Sequence, residues 1–237
     1  MAISPKNAMV LAAGLGLRMR PLTNTTPKPL LRVAGRRIID YGMDALVVAG
    51  VEEAVVNKHY LPEQIAAWAQ TIAKPRITLS DETDTVLETG GGIVRALPLL
   101  GDAPFYVLNS DCFWTESGTP ALKRLAEAWN DDKMDCLLLL CDPSQTTGYD
   151  GDGDFRMDAD GRLTRQRRNA LAYIGGYIVH PRLFAGTHEG KFSMNVLWDK
   201  AIANGRLFGL LHKGHWLHVG TPDSIGAAEA YLLGERP

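Results

Sequence analysis

Residues 8–30 read AMVLAAGLGLRMRPLTNTTPKPL, and this stretch decides the fold. Its first part, residues 8–13, is apolar on both faces, which is typical of a buried strand in a parallel sheet. A loop rich in glycine, proline and polar residues follows over residues 14–29 and is too broken for a helix. Because open α/β sheets bind ligands beyond the carboxyl ends of their strands, this loop is expected to line a binding site.

The loop has the composition of a phosphate-binding segment. Gly14 and Gly16 let the backbone approach a ligand closely and expose N–H groups to phosphate oxygens. Arg18 and Lys28 add positive charge, and a proline on each side of Lys28 restricts its position. These features favour a triphosphate ligand over the alternative, a mobile surface loop with incidental charges.

Two familiar phosphate loops do not match this stretch. The dinucleotide-binding fingerprint needs a third glycine, and Met19 stands at that position. The P-loop needs Gly-Lys-Ser/Thr at the start of a helix, whereas Lys28 lies between two prolines. An NAD(P)-dependent oxidoreductase is therefore disfavoured.

The rest of the chain alternates strands with helices, a pattern that predicts a parallel sheet covered on both faces. After residue 142 a Gly- and Asp-rich stretch indicates a hairpin or an excursion from the sheet, and the second half is expected to be partly antiparallel. The pattern predicts one Rossmann-like α/β domain over residues 1–237, with a mixed sheet flanked by helices. The further predicted strands are 53–57, 77–79, 105–108, 136–141, 173–179, 207–211 and 216–219. The predicted helices are 38–48, 62–68, 92–100, 120–129 and 194–203, and the hairpin region is 148–161. Thr221 is expected to cap the last helix, with Pro222 at its first position.

Composition excludes several classes of protein. The chain has 237 residues and a formal net charge of -2, so its bulk electrostatics favour neither a nucleic acid nor a membrane partner. Its three cysteines show no metal-ligand or disulfide spacing and are expected to be buried thiols. No secretory leader and no apolar segment of about 18 residues is visible. We expect a cytoplasmic protein that is a monomer or a homodimer.

The loop resembles the signature of the sugar-phosphate nucleotidyltransferases, also called NDP-sugar pyrophosphorylases. Residues 11–23 follow the family pattern Leu-Ala-Gly/Ala-Gly-x-Gly-x-Arg-Leu/Met-x-Pro-Leu-Thr, and residues 27–29 are its Pro-Lys-Pro. The resemblance implies a nucleotidyltransferase (GT-A-like) fold in which residues 1–141 bind a nucleoside triphosphate and residues 142–237 bind a sugar 1-phosphate. The loop residues that it assigns to the nucleotide are Leu11, Ala12, Ala13, Gly14, Gly16, Arg18 and Lys28.

Two further segments extend the resemblance. Residues 87–93, LETGGGI, are similar to the family loop that contacts the base through backbone groups and opens a helix. Glu88 stands where that loop commonly has glycine, and Thr89 and Gly90 are the residues that the resemblance assigns to the nucleotide. Asn57 also lies where the family approaches the nucleotide.

A metal site is implied at Asn109-Ser110-Asp111, which resembles the family's Asn/Gly-x-Asp, whose aspartate binds the catalytic Mg2+. Mg2+ prefers hard oxygen ligands, usually one or two carboxylates together with substrate phosphates. The family's late motif Trp-x-Asp-x-Gly-Thr supplies a second aspartate, but His218 stands at that position here. Imidazole is a softer ligand than carboxylate and suits Mn, Zn or Fe better than Mg2+. His218 therefore either ligates a metal, contacts phosphate when protonated, or leaves Asp111 to hold Mg2+ alone.

The implied reaction is an in-line attack of a sugar-phosphate oxygen on the α-phosphorus of the triphosphate, with pyrophosphate leaving. Both reactants are anionic, and unit charges about 4 Å apart repel by about 4 kcal/mol at an effective dielectric constant of about 20. Cations must therefore hold them together, and the predicted catalytic groups are Arg18, Lys28 and Asp111 with Mg2+. The attacking oxygen is already ionised, so no general base is required.

The sugar site is expected in the second half of the chain. The family often places Glu-Lys after the excursion from the sheet, whereas residues 165–168 read Arg-Gln-Arg-Arg here. Because guanidinium groups bind both phosphates and carboxylates, Arg156 and Arg168 are predicted sugar-phosphate contacts, together with Asn109 and Asn195. A solvated basic loop is the alternative.

Within the family, the short chain and the segments LETGGGI, ALPLLGDAPF and GHW-x-x-VGT are most similar to members that join UTP to N-acetylmuramate 1-phosphate in cell-wall recycling. The lactyl carboxylate of that sugar suits an arginine-rich site. One alternative is the use of GTP and mannose 1-phosphate. Another is a non-catalytic nucleotide-sugar sensor, which we expect to lack the phosphate-binding cations or Asp111, and this chain has both.

Overall fold

The computed structural model describes residues 3–235 and contains the predicted succession of strands and helices. The strands are β1 (Asn7–Leu11), β2 (Arg32–Val33), β3 (Arg36–Arg37), β4 (Glu53–Lys58), β5 (Arg76–Asp81), β6 (Phe105–Asn109), β7 (Cys112–Trp114), β8 (Cys136–Cys141), β9 (Thr146–Thr147), β10 (Phe155–Met157), β11 (Leu163–Arg165), β12 (Ala172–Val179), β13 (Leu207–Leu211) and β14 (Trp216–His218). The α-helices are α1 (Ile38–Ala49), α2 (Pro62–Ala69), α3 (Glu88–Leu100), α4 (Ala121–Ala128), α5 (Asn195–Ala203) and α6 (Pro222–Leu232).

A mixed seven-stranded sheet lies at the centre, in the order β13-β8-β12-β6-β1-β4-β5. Neighbouring strands run parallel except β12, which is antiparallel to both β6 and β8. This confirms the predicted α/β fold with a partly antiparallel second half. Because β6, β1, β4 and β5 are parallel, their carboxyl ends meet at one edge of the sheet, where open α/β sheets bind ligands.

Helices cover both faces of the sheet. Alternate residues of β1 show the division, since Ala8 and Val10 belong to one buried cluster and Met9 belongs to another. The first cluster contains side chains of α1, α2 and α4, and the second contains side chains of α3 and α5. The strands with long apolar runs, such as β8 (CLLLLC), are buried along their whole length.

A third buried cluster holds the loop that follows β1. The loop contains three short 3-10 turns, Leu17–Met19, Leu22–Asn24 and Lys28–Leu30. Met19 is fully buried and packs in one cluster with Phe113 and Leu217. The methionine that replaces the third glycine of a dinucleotide fingerprint is therefore a core residue that anchors the loop to the protein.

Helix α3 begins at Glu88, four residues before the start predicted at Gly92. The prediction was wrong because a run of three glycines disfavours a helix in isolation. Tertiary packing overrides this preference. A Cβ on Gly90 would lie 2.3 Å from the ring of Phe192, and a Cβ on Gly91 would lie 1.9 Å from the carbonyl oxygen of Gly190.

Two smaller sheets complete the second half of the chain. β10 and β11 form an antiparallel hairpin, which overlaps the predicted hairpin region and extends beyond residue 161 to Arg165. β7, β14 and β9 form a three-stranded sheet. Thr221 makes the predicted cap of α6, in a capping box with Ser224. In the part of the chain that the structure describes, no helix combines the length and the apolar character that crossing a membrane requires.

Candidate active site

A cavity of about 280 Å³ opens at the carboxyl ends of β1, β4 and β6. It lies where the parallel strands were predicted to present ligand-binding groups. Its walls come from the loop after β1, from the segment that leads into α3 and from the turn after β6. The lining residues are Leu11, Ala13, Gly14, Lys28, Pro29, Asn57, Glu82, Val86, Glu88, Thr89, Asn109, Ser110 and Asp111. Most of the residues predicted to contact the nucleotide or the metal therefore share one cavity, which we call the first cavity.

Lys28 and Asp111 form an ion pair in this cavity, with Nζ 2.8 Å from Oδ2. Lys28 is 8% exposed and starts the 3-10 turn Lys28–Leu30, between the two prolines that flank it in the sequence. Burial raises the pKa of the Asp111 carboxyl, but the Lys28 ammonium outweighs this effect, with help from His218 and Arg18. The net pKa of Asp111 lies below its ordinary value, so Asp111 is a carboxylate at neutral pH.

Arg18 is exposed, in the turn Leu17–Met19. Its guanidinium is near enough to help lower the pKa of Asp111. Gly16, just before this turn, has a φ of 63° and lies against Thr23, whose hydroxyl donates to the Gly16 carbonyl at 2.8 Å. A Cβ at this position would lie 2.9 Å from Thr23 Cγ2, so the turn requires glycine.

His218 lies beside Asp111 because β14 pairs with β7, the strand that follows Asp111. Val219 N–H donates to the Asp111 carbonyl at 3.2 Å, and His218 Nδ1 lies 3.1 Å from the Gly148 carbonyl oxygen. A carbonyl only accepts hydrogen bonds, so Nδ1 donates to Gly148 and Nε2 is the ring nitrogen left for a ligand.

Asp111 and His218 fit a divalent cation that also takes ligands from the substrate. Within residues 3–235 no group of three or more His, Cys, Asp or Glu side chains is arranged to hold a metal by itself. Mg2+ is usually held by one or two carboxylates together with substrate phosphates, so a single carboxylate and a neighbouring imidazole match that mode of binding. The described residues therefore do not form a site that would hold a cation by protein ligands alone.

Asn57 spans two parts of the site with its side-chain amide. Its Oδ1 accepts from Ala12 N–H at 2.6 Å, and its Nδ2 donates to Glu82 Oε1 at 2.7 Å. All three residues are buried. Asn57 lines the first cavity, as expected of a residue near the nucleotide, and both ends of its amide hold the end of β1 to the segment after β5. Its contact with the nucleotide stays a prediction.

Glu82 is a site residue that the sequence analysis missed. It is 1% exposed and lines the first cavity. Burial raises the pKa of its carboxyl, while the Asn57 amide, Arg95 and His59 oppose this rise. A Cβ on Gly92 would lie 2.7 Å from Glu82 Oε1 and 2.9 Å from Asn57 Nδ2, so the last glycine of LETGGGI makes room for this pair. An acidic residue directly after a strand end was the only local signal.

The residues at the start of α3 lie at the cavity but are already hydrogen-bonded. Gly90 N–H donates to the Phe192 carbonyl at 2.9 Å, so this donor already has a partner within the protein. Thr89 lines the cavity, and its Oγ1 accepts from Met194 N–H at 2.9 Å. Glu88 stands where the family commonly has glycine. It has a φ of 61°, a left-handed conformation that glycine adopts readily and that is strained for glutamate.

A second cavity, of about 210 Å³, adjoins the first, and the two share Leu11, Thr89 and Asn109 as lining residues. Two predicted sugar-side residues, Asn109 and Asn195, line this second cavity. Its remaining lining residues are Asp154, Phe155, Arg165, Tyr173, Tyr177, Ser193, Met194 and Trp198.

Arg165 is the arginine that the structure brings to the second cavity. Its Nε lies 2.8 Å from Asp199 Oδ1, its Nη2 donates to Asn195 Oδ1 at 2.8 Å, and its guanidinium lies 4.6 Å from the centre of the Phe155 ring. Three polar atoms in the wall of this cavity have no hydrogen-bond partner within residues 3–235, namely Tyr173 Oη, Tyr177 Oη and Trp198 Nε1.

Arg156 and Arg168 do not take the predicted positions. Arg156 lines a separate cavity with Asp142 and Asp152, because it follows Phe155 on β10 and neighbouring strand residues point to opposite faces. Arg168 lies exposed in the turn after β11, where its carbonyl accepts from Gln166 Nε2. Of the arginines considered for the sugar site, Arg165, which was not among the predicted contacts, is the one that lines the second cavity.

Residues 7–235 match the family described as Nucleotidyl transferase, and the chain belongs to this family. The protein is a nucleotidyltransferase, as the loop after β1 predicted. It is 44% identical to N-acetylmuramate alpha-1-phosphate uridylyltransferase of Caulobacter vibrioides, over 98% of this chain and 99% of that protein. It is 37% identical to the protein of the same name from Neisseria meningitidis serogroup B, over 94% of this chain and 96% of that one.

More distant similarities carry other names, and one of these proteins is longer than this chain. Mannose-1-phosphate guanylyltransferase 1 of Arabidopsis thaliana is 29% identical over 95% of this chain, which covers 64% of that protein. Among solved structures, a UDP-glucose pyrophosphorylase complexed with UDP-glucose has a TM-score of 0.79 at 18% identity and covers 98% of this chain and 99% of that one. At that identity the likeness confirms the predicted nucleotidyltransferase fold.

Proposed function

We propose that the protein transfers a uridylyl group from UTP to N-acetylmuramate 1-phosphate and releases pyrophosphate. The observation that carries the proposal is the pair of adjoining cavities, one with Lys28 and Asp111 and the other with Arg165 and Asn195. The identity of the two substrates is supported by the two uridylyltransferases that share 44% and 37% of their residues with this chain.

The triphosphate occupies the first cavity. Gly14 and Gly16 bring the backbone of the loop close to the phosphates, and Arg18 and Lys28 neutralise them. Because Lys28 Nζ is 2.8 Å from Asp111 Oδ2, its ammonium also holds the carboxylate in place in the first cavity. Asp111 and His218 are the residues that would hold Mg2+ or Mn2+, and that cation supplies further positive charge to the phosphates.

The sugar 1-phosphate occupies the second cavity, with Asn109 at the border between the two ligands. Its phosphate oxygen is already ionised, so the residues have to hold it in line with the α-phosphorus and have no proton to remove. Placing the reactants correctly and screening their charges accounts for catalysis by this site.

Arg165 favours a sugar that carries a carboxylate. Asp199 and Asn195 fix its Nε and Nη2, and stacking on Phe155 fixes the plane of its guanidinium. The remaining N–H groups of this fixed guanidinium suit a carboxylate such as the lactyl group of N-acetylmuramate. The reaction would then serve cell-wall recycling in the cytoplasm, where UTP is available.

The test is pyrophosphate release from each of the four common nucleoside triphosphates with a panel of sugar 1-phosphates, in Mg2+ and in Mn2+. The panel contains N-acetylmuramate, N-acetylglucosamine, glucose and mannose 1-phosphates, and the Asp111→Asn variant is the matched inactive control. We expect release to require UTP and N-acetylmuramate 1-phosphate together. Release with GTP and mannose 1-phosphate would keep the reaction and overturn the substrates. No release from a folded sample that binds a triphosphate would support the sensor.

A further inference from the structure

A segment of the second half of the chain lies across the start of α3. This segment, residues 189–194, is called the strap. The Phe192 carbonyl of the strap accepts from Gly90 N–H at 2.9 Å and from Gly91 N–H at 3.2 Å, and Phe192 N–H donates to the Leu87 carbonyl at 3.1 Å. Since the first N–H groups of a helix have no partner inside the helix, the strap supplies the acceptor at the N-terminus of α3.

The strap lies so close to the start of α3 that neither Gly90 nor Gly91 has room for a side chain. Gly90 faces the ring of Phe192, and a Cβ on Gly90 would lie 2.3 Å from that ring. At Gly91 a Cβ would lie 1.9 Å from the Gly190 carbonyl oxygen. Such contacts transmit a displacement of one segment to the other, because packed protein interiors leave no free space to absorb it.

The strap also connects the two cavities. Ser193 and Met194 line the second cavity, Glu88 lines the first, and Thr89 lines both. The bond from Met194 N–H to Thr89 Oγ1, 2.9 Å long, joins these two walls directly. Phe192, by contrast, is a lining residue of neither of these two cavities in the part of the chain that the structure describes.

Charged pairs hold the strap from its exposed side. Glu189 Oε1 lies 2.6 Å from the guanidinium of Arg95, and Lys191 Nζ lies 3.7 Å from Glu88 Oε1. Exposed pairs of this kind contribute little individually, but both join the strap to α3 or its first residue. Glu88 also keeps a left-handed backbone conformation, with a φ of 61°, which persists only when the surrounding structure imposes it.

We propose that the strap is a positioning device that couples the two substrates. A sugar 1-phosphate that contacts Ser193 and Met194 holds the strap in place, and the strap in turn holds residues 87–91 in the conformation that lines the first cavity. Each substrate then strengthens the binding of the other by the same factor, as linkage requires. The identity of the two ligands rests on the proposed function, whereas the coupling rests on the contacts of the strap.

Binding of the two ligands to the unmodified protein tests the proposal. The dissociation constant of a UTP analogue that cannot be cleaved between the α- and β-phosphates is measured by calorimetry in Mg2+, with and without saturating N-acetylmuramate 1-phosphate. We expect the sugar phosphate to tighten binding of the analogue by about 5-fold or more, and the analogue to tighten binding of the sugar phosphate equally. Binding of both ligands without any coupling would overturn the strap proposal alone. Binding of a ligand only when the other is present would be the strongest form of the coupling, whereas failure of either ligand to bind even in the presence of the other would overturn the proposed function, and the coupling with it.

Replacement of Phe192 separates coupling through the strap from direct contact between the ligands. Phe192→Ala removes the ring that packs on Gly90 and leaves the lining of both cavities intact. We expect the coupling factor to fall towards one and to be restored in Phe192→Leu, while Val196→Ala, at a neighbouring residue that is 59% exposed, keeps the full factor. An unchanged factor in folded Phe192→Ala would overturn the proposal.

A second pair of variants covers the case in which Phe192→Ala does not fold. Thr89→Val removes the acceptor of the Met194 N–H bond at nearly constant volume, and Thr89→Ser retains it. Loss of one such bond is expected to reduce the coupling factor about 5-fold or to abolish it, and serine is expected to rescue it. Equal coupling in the valine and serine variants would contradict the role of the strap.

Discussion

The substitution Asn57→Ala would release two buried groups at the centre of the candidate site. Ala12 N–H would lose its acceptor, now 2.6 Å away, and Glu82 Oε1 would lose its donor, now 2.7 Å away. Ala12 is 2% exposed and Glu82 is 1% exposed, so water cannot readily replace either bond. The alanine side chain offers no polar atom in compensation.

The expected loss of stability follows from these two groups. A buried polar group left without its partner costs about 1–3 kcal/mol, with charged groups at the upper end. We therefore expect Asn57→Ala to lower the free energy of unfolding by about 3–5 kcal/mol at pH 8. This is a large share of the total of about 5–15 kcal/mol that is usual for a domain, so the variant should fold but unfold at a lower urea concentration.

The loss should depend on pH, in a direction set by Glu82. Burial raises the pKa of its carboxyl, and the Asn57 amide is the strongest of the groups that oppose this rise. Removing the amide raises the pKa further, so the ionised form becomes more costly in the folded protein. A carboxyl whose folded pKa lies above its unfolded value of about 4.3 destabilises the protein progressively as pH rises through that interval. The loss should therefore be smaller at pH 5, about 2–3 kcal/mol, than at pH 8.

Urea unfolding at pH 5 and pH 8 measures both numbers. Glu82→Gln is the matched variant, because it removes the charge and keeps an oxygen that accepts from Asn57. We expect its free energy of unfolding at pH 8 to equal or exceed that of the unmodified protein. A loss in Asn57→Ala that is the same at both pH values, or below about 1 kcal/mol at both, would refute the assignment of the Asn57 bonds as buried and unreplaced.

Three further predictions concern the reaction. Asp111→Asn is expected to lower turnover by at least about 100-fold. It is also expected to lower the melting temperature of a protein that still folds, because the ammonium of Lys28, whose side chain is 10% exposed, loses its charged partner. Near-normal pyrophosphate release would remove Asp111 from the metal site, and Asp160→Asn, on the exposed hairpin, is the control. Lys28→Ala is expected to weaken binding of the triphosphate about 10-fold. It is also expected to lower the free energy of unfolding, by only about 1–2 kcal/mol, because the side chain of Asp111 is 34% exposed and water can solvate the carboxylate that loses its partner. Unchanged affinity in calorimetry would contradict the phosphate contact. His218→Asp is expected to shift the ratio of activities in Mn2+ and Mg2+ towards Mg2+, whereas the same ratio as in the unmodified protein would leave His218 with a structural role.

Local patterns in the sequence were sufficient for the fold and the family. The strands of the central sheet are apolar runs whose neighbours along the chain are amphipathic helices, and this alternation is a short-range property. Residues 136–141 were predicted with their observed bounds because no polar residue interrupts the run. The loop after β1 identified the family for the same reason, since its glycines, prolines and cations act through the local path of the backbone.

Only the tertiary structure decided which side chains meet in the site. Glu82 contacts Asn57 across 25 positions of sequence, Lys28 contacts Asp111 across 83, and Thr89 contacts Met194 across 105. Arg165 rather than Arg156 reaches the second cavity because strand residues alternate between two faces, and the sequence does not show which face of a hairpin meets the sheet. The residue types at the site are therefore visible along the chain, while their partners depend on packing between segments that no local pattern relates.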